Sequence, residues 1–84
     1  MASFRLLCVH HNVPGVLAEA NSLVADHGMN IEAQLLGTRD QNGYVITDVA
    51  TEPPADLLQA LEQLDATVRL RLVRLTGGGE VVNN

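Results

Sequence analysis

At 84 residues and 46% hydrophobic content, the chain has room for one domain with a single core and about six short elements. A formal charge of −5, five arginines with no lysine, and Phe4 and Tyr44 as the sole aromatic residues exclude the basic footprint and stacking platform that nucleic acid requires. No apolar run is long enough to span a bilayer and no secretory signal opens the chain, so the cytoplasm is the expected compartment.

Phe4 to His10 is rich in apolar and branched residues and reads as a first strand, ending at Asn-Val-Pro-Gly. Pro14 suits the first position of a helix, where a missing N–H costs nothing. Val16, Leu17, Ala20, Leu23 and Val24 then recur at helical spacing, and Gly28 predicts a left-handed stop near His27. Asn30 to Thr38 alternates, with Ile31, Ala33 and Leu35 expected on one face and Glu32 and Gln34 on the other. Asn-Gly at 42–43 signals a hairpin, and Tyr44 to Ala50 returns with Val45, Thr47 and Val49 opposite Tyr44, Ile46 and Asp48. Pro53 and Pro54 introduce a second helix with a stripe of Leu57, Leu58, Leu61 and Leu64. Thr67 to Leu75 alternates Val68, Leu70 and Leu72 against Arg69, Arg71 and Val73.

The order is strand, helix, strand, strand, helix, strand. Right-handed crossovers make it an α+β, ferredoxin-like βαββαβ domain over residues 1–75, a four-stranded antiparallel sheet with both helices on one face. The opposite face is expected to carry Glu32, Gln34, Tyr44, Ile46, Asp48, Arg69 and Arg71, with Glu32 and Asp48 solvated or paired to Arg69 and Arg71. Unpaired outer strands make side-by-side pairing with a second copy the expected assembly, a homodimer. Residues 76–84, with three consecutive glycines, read as a flexible tail.

His10 and Asn12 bracket the end of the first strand beside the amides of Gly15, Val16 and Leu17 at a helix start. Two readings stand side by side. One is a clamp for a small carboxylate ligand, which helix N-terminal amides favour. The other is a surface histidine with an asparagine that helps cap the helix. Asn30 likewise fits an ordinary turn. A metal site is disfavoured, because His10 and His11 point to opposite faces of a strand and Cys8 has no second cysteine to pair with on a metal. The glycine run lacks the Lys-Ser/Thr of a phosphate loop, and no nucleophile has a partnered base, so nothing calls for an enzyme or a cofactor.

These residues resemble an ACT domain, and more narrowly the C-terminal regulatory domains of bacterial phosphoglycerate dehydrogenases. The likeness rests on His10-x-Asn12-x-Pro14-Gly15-Val16-Leu17, Gly28-x-Asn30-Ile31, Ala33-Gln34, Thr38, Gly43-Tyr44-Val45, Asp48 and Arg69-x-Arg71-Leu72. It implies feedback sensing of an amino acid, L-serine, between two domains paired into one continuous sheet. His10 and Asn12 would come from one subunit and Asn30 from the other, with Val13, Gly15, Val16, Leu17 and Ile31 also expected at the ligand site. A catalytic dehydrogenase is the implied partner. The alternative is a free-standing dimerisation or assembly module of the same fold without serine specificity.

Overall fold

The computed structural model describes residues 3–75 and 81–83. Seven elements follow one another: β1 (Phe4–His11), α1 (Val16–Asp26), β2 (Ile31–Arg39), β3 (Asn42–Val49), α2 (Ala55–Glu62), β4 (Thr67–Leu75) and β5 (Val81–Asn83). The strands lie in the order β2-β3-β1-β4-β5, each antiparallel to its neighbours. The four long strands and two helices are the predicted βαββαβ unit. β5, a three-residue addition beyond β4, was not anticipated. The remainder of the expected tail, 76–80 and 84, lies outside the described residues.

Alternation on the two central strands builds the core. Leu6 of β1 sits opposite Leu72 of β4 and Thr47 of β3, and all three are buried. Ala20 and Val24 of α1 and Leu57 and Leu61 of α2 close over Leu6, Val49 and Leu72, so both helices share one face of the sheet. Leu57 and Val49 are wholly withdrawn from solvent. Among the described residues no helix is long and apolar enough to cross a membrane.

The end of α1 is as its sequence requires. Gly28 takes φ +76°, and the amides of Gly28 and Met29 donate to the carbonyls of Ala25 and Val24, a Schellman ending with Met29 buried against the same core as Val24. Its start is not where the proline predicted. Gly15, at φ +86°, is the N-cap and the helix begins at Val16, leaving Pro14 outside. The chain leaves β1 through a left-handed residue, a conformation open to glycine and closed to proline. No side chain caps this helix, so Asn12 does not serve as its cap.

Strand β2 corrects a second expectation. Ile31 pairs with Val49, but Ala33, not Glu32, pairs with Asp48, so one extra residue is inserted between them. Such a bulge reverses the alternation that follows it. Gln34 therefore faces the helices, where its amide donates to Thr47 Oγ1 at 2.9 Å and to Asn21 Oδ1 at 3.0 Å. Ala33 and Leu35 lie on the open face instead. A similar shift between Val9 and His10 sets Thr67 opposite His10 and leaves Val68 exposed rather than in the apolar face of β4.

Candidate functional site

The end of β1, the start of α1 and the ends of β2 and β3 converge on one hollow of about 340 Å³, lined by His10, Asn12, Leu17, Leu36, Gly37, Thr38 and Tyr44. Strand register does the assembling. His10 lies opposite Gly43, which lies opposite Thr38, so three strands bring these positions to the same end of the sheet.

His10 is only 9% exposed. Its Nδ1 is 2.9 Å from the carbonyl oxygen of His11. A carbonyl can only accept, so Nδ1 carries the hydrogen and donates, and in the neutral ring Nε2 is an acceptor. No side-chain nitrogen or oxygen among the described residues is sealed from solvent without a partner, so this unpartnered Nε2 is reachable. The ring lies on the bare backbone of Gly43, where a Cβ would stand 2.5 Å from its Cε1. Tyr44 is placed in the same manner, since a Cβ on Gly37 would run into its ring. Two glycines thus make room for the two rings that wall the hollow.

Of the residues expected at a ligand site, His10, Asn12 and Leu17 come together here. Gly15 caps the adjoining helix, whose first-turn amides have no partners within the helix. Val16 is buried in the domain, and Val13 is half-exposed and outside the hollow. Asn30 and Ile31 stand at the opposite end of β2, where Ile31 pairs with Val49 and Val49 with Phe4. Eight strand residues, about 26 Å at strand rise, separate Asn30 from Thr38. Leu36, Gly37, Thr38 and Tyr44 were not assigned to the site from sequence. A lone glycine inside an alternating strand, Gly37, was the available sign of a close approach.

Other ionisable groups are accounted for locally. Asp48 accepts two hydrogen bonds from Arg5, at 2.7 and 2.9 Å, rather than pairing with Arg69 or Arg71, because Arg5 is its cross-strand neighbour in register. This bidentate pair holds the Arg5 pKa above its ordinary value, chiefly through the hydrogen bond to Asp48. Among the described residues no three His, Cys, Asp or Glu side chains converge to hold a metal.

Burial pushes the Cys8 thiol above its ordinary pKa, against a smaller opposite effect of a hydrogen bond with Thr67. The thiolate is the reactive form. Cys8 is therefore expected to react with Ellman's reagent at pH 8 more slowly in the folded protein than in urea. The folded state holds this proton more tightly. Its contribution to stability is complete below the ordinary thiol pKa and is lost as pH rises through the folded value.

The βαββαβ order, with four long antiparallel strands and both helices on one face, defines a ferredoxin-like α+β domain. The match to the AHAS small subunit-like ACT domain family spans residues 6–69, and the chain belongs to the ACT domain family. It is 41% identical over 69 residues to the D-3-phosphoglycerate dehydrogenase of Haemophilus influenzae and 45% identical over 71 residues to that of Escherichia coli K12. Each match covers 82% of this chain and 17% of the relative, so the chain spans about a sixth of the length of those enzymes. In fold it is similar to the crystal structure of the ACT domain from the GTP pyrophosphokinase of Chlorobium tepidum, with TM-score 0.70 at 10% identity, covering 86% of this chain and 99% of that one. A protein of unknown function from Galdieria sulphuraria superposes with TM-score 0.75 at 15% identity, covering 90% of this chain and 46% of the other.

Proposed function

We propose that this domain is a feedback sensor for L-serine, acting on a phosphoglycerate dehydrogenase, and that the hollow at His10 is half of its ligand site. The observation that carries this reading is the hydrogen bond of His10 Nδ1 to the His11 carbonyl. It leaves an accessible imidazole acceptor beside the uncapped amides of α1. An amino acid matches that pairing. Its ammonium or hydroxyl donates to Nε2, and its carboxylate meets the helix amides and the positive end of the dipole. Asn12, Thr38 and Tyr44 supply the neighbouring polar groups.

Asn30 enters from a second copy. β2 is an edge of the sheet, with Leu35 58% and Leu36 52% exposed. Antiparallel pairing of two β2 strands about a two-fold axis near Gln34 brings the partner subunit's Asn30 toward the Thr38 end of this strand. A site divided in this way couples occupancy to the relative placement of two subunits, which is the differential affinity that allostery needs. The relatives that this domain matches are D-3-phosphoglycerate dehydrogenases, and L-serine is the effector that the resemblance implies for such a domain.

Calorimetric titration with L-serine, against glycine, L-alanine and L-threonine, tests the reading. L-serine is expected to bind with saturable heat. Loss of a hydrogen bond in His10→Ala or Asn30→Ala is expected to weaken it by about tenfold or more, on the order of 1.4 kcal/mol. Absence of heat and of any thermal shift at millimolar L-serine would overturn the serine assignment. A dimer that forms without L-serine and leaves its interface empty when L-serine is added would instead favour an assembly module, a reading supported by the apolar edge at Leu35 and Leu36.

A further inference from the structure

The five arginines are distributed unevenly over the fold. Register puts Arg5 beside Asp48, Arg71 opposite Leu7 and Arg69 opposite Val9, all on the face of the sheet turned away from the helices. Arg39 joins them, lining a second hollow of about 360 Å³ with Val9, Asn42, Gly43, Tyr44 and the acidic Asp40. Arg74 is the exception, ion-paired to Glu52 at 4.0 Å and stacked on Phe4. The helical layer is the opposite. α1 and α2 carry Glu19, Asp26, Asp56 and Glu62 and no arginine or lysine. A chain of net charge −5 thus concentrates its positive charge on one side.

Arg5 is already neutralised by Asp48. Arg39, Arg69 and Arg71 are exposed and engage no carboxylate among the described residues. Between them stand exposed Tyr44 and Leu35 and half-buried Leu7, Val9 and Ile46. Arginine and tyrosine over apolar surface, with lysine absent, is the composition of a protein interface. Arg69 and Arg71, two residues apart on one strand, present their charges about 7 Å apart, the spacing of alternate residues in an extended chain.

We propose that this open face docks an extended acidic peptide segment of a partner protein. Alternate carboxylates meet Arg69 and Arg71, and an intervening or flanking side chain enters the hollow beside Arg39. The docking face adjoins the His10 hollow at Tyr44, which lines both, but Arg39, Arg69 and Arg71 do not line that hollow, and the inference does not rest on the serine reading. Nucleic acid is disfavoured as occupant by the chain's overall negative charge and its lack of aromatic stacking groups on this face beyond Tyr44.

The test is fluorescence anisotropy of the whole 84-residue protein with a labelled deca-glutamate peptide at low salt, about 20 mM, where surface electrostatics are least screened. Saturable binding that weakens as salt is raised is expected. The double variant Arg69→Gln/Arg71→Gln is expected to bind about tenfold less tightly, with unchanged circular dichroism because both side chains are exposed. Arg39→Gln should weaken binding as well, and Arg74→Gln should leave it unchanged. No saturable binding would overturn the proposal. So would an equal loss in Arg74→Gln, which would mean diffuse charge rather than a docking face. A ten-residue oligothymidylate that displaces the peptide more effectively than unlabelled deca-glutamate would overturn it in favour of nucleic acid.

Discussion

Replacing Gly43 by alanine is expected to give a folded domain that no longer binds L-serine. Gly43 has no left-handed backbone angle, so alanine suits its conformation. The conflict is with one side chain. The new methyl would stand 2.5 Å from Cε1, 3.0 Å from Nε2 and 3.2 Å from Nδ1 of His10. The ring can relieve this only by leaving its place, which breaks the bond of Nδ1 to the His11 carbonyl and removes the acceptor from the hollow. Overpacking of this kind costs about 1–2 kcal/mol of stability. The double variant Gly43→Ala/His10→Ala separates the two effects. Removal of the ring should restore part of the lost stability and none of the binding, a coupling that a double-mutant cycle reads directly. Retention of the serine heat in Gly43→Ala would place the ligand away from His10.

Leu57→Ala is expected to have the largest effect on stability. Leu57 is wholly buried at the junction of α2 with Leu6, Val49 and Leu72 of the sheet. Truncation there loses transfer free energy and leaves a cavity, together about 3 kcal/mol. A domain of this size holds only about 5–15 kcal/mol in total. Urea unfolding followed by circular dichroism should show the midpoint falling by about 2 M with little change in slope. A loss under about 1 kcal/mol would mean that α2 packs more loosely against the sheet than its burial indicates.

Much of this architecture was legible because its signals are local. The spacing of Leu57, Leu58 and Leu61, the glycine at 28 and the Asn-Gly turn at 42–43 each act within a few residues of where they stand. The misread features depend on partners far along the chain. Gln34 was placed on the open face because strict alternation carries no mark of an inserted residue, and only the pairing of Ala33 with Asp48 reveals it. Asp48 found Arg5 rather than Arg69 or Arg71 through the register of β1 on β3. At the candidate site, His10 and Asn12 were readable from the His-x-Asn-x-Pro-Gly segment. Thr38 and Tyr44 reach the same hollow only because three strands are aligned there. The helix start was misplaced for a related reason. Proline signals a preference, whereas the direction in which the chain leaves β1 requires the left-handed turn at Gly15.

The extra residue in β2 also bears on how its free edge can be used. A uniform edge strand accepts an incoming strand equally well in frames shifted by two residues, and this sliding leads to mispairing and open-ended growth. At Glu32 that translational sameness is broken. Beyond it only the stretch 33–39 offers a regular run of edge groups, and a strand shifted toward Asn30 would meet a kinked backbone. The irregularity that hid the true face of Gln34 from the sequence therefore acts as an end stop, limiting the frames in which another chain can join the sheet.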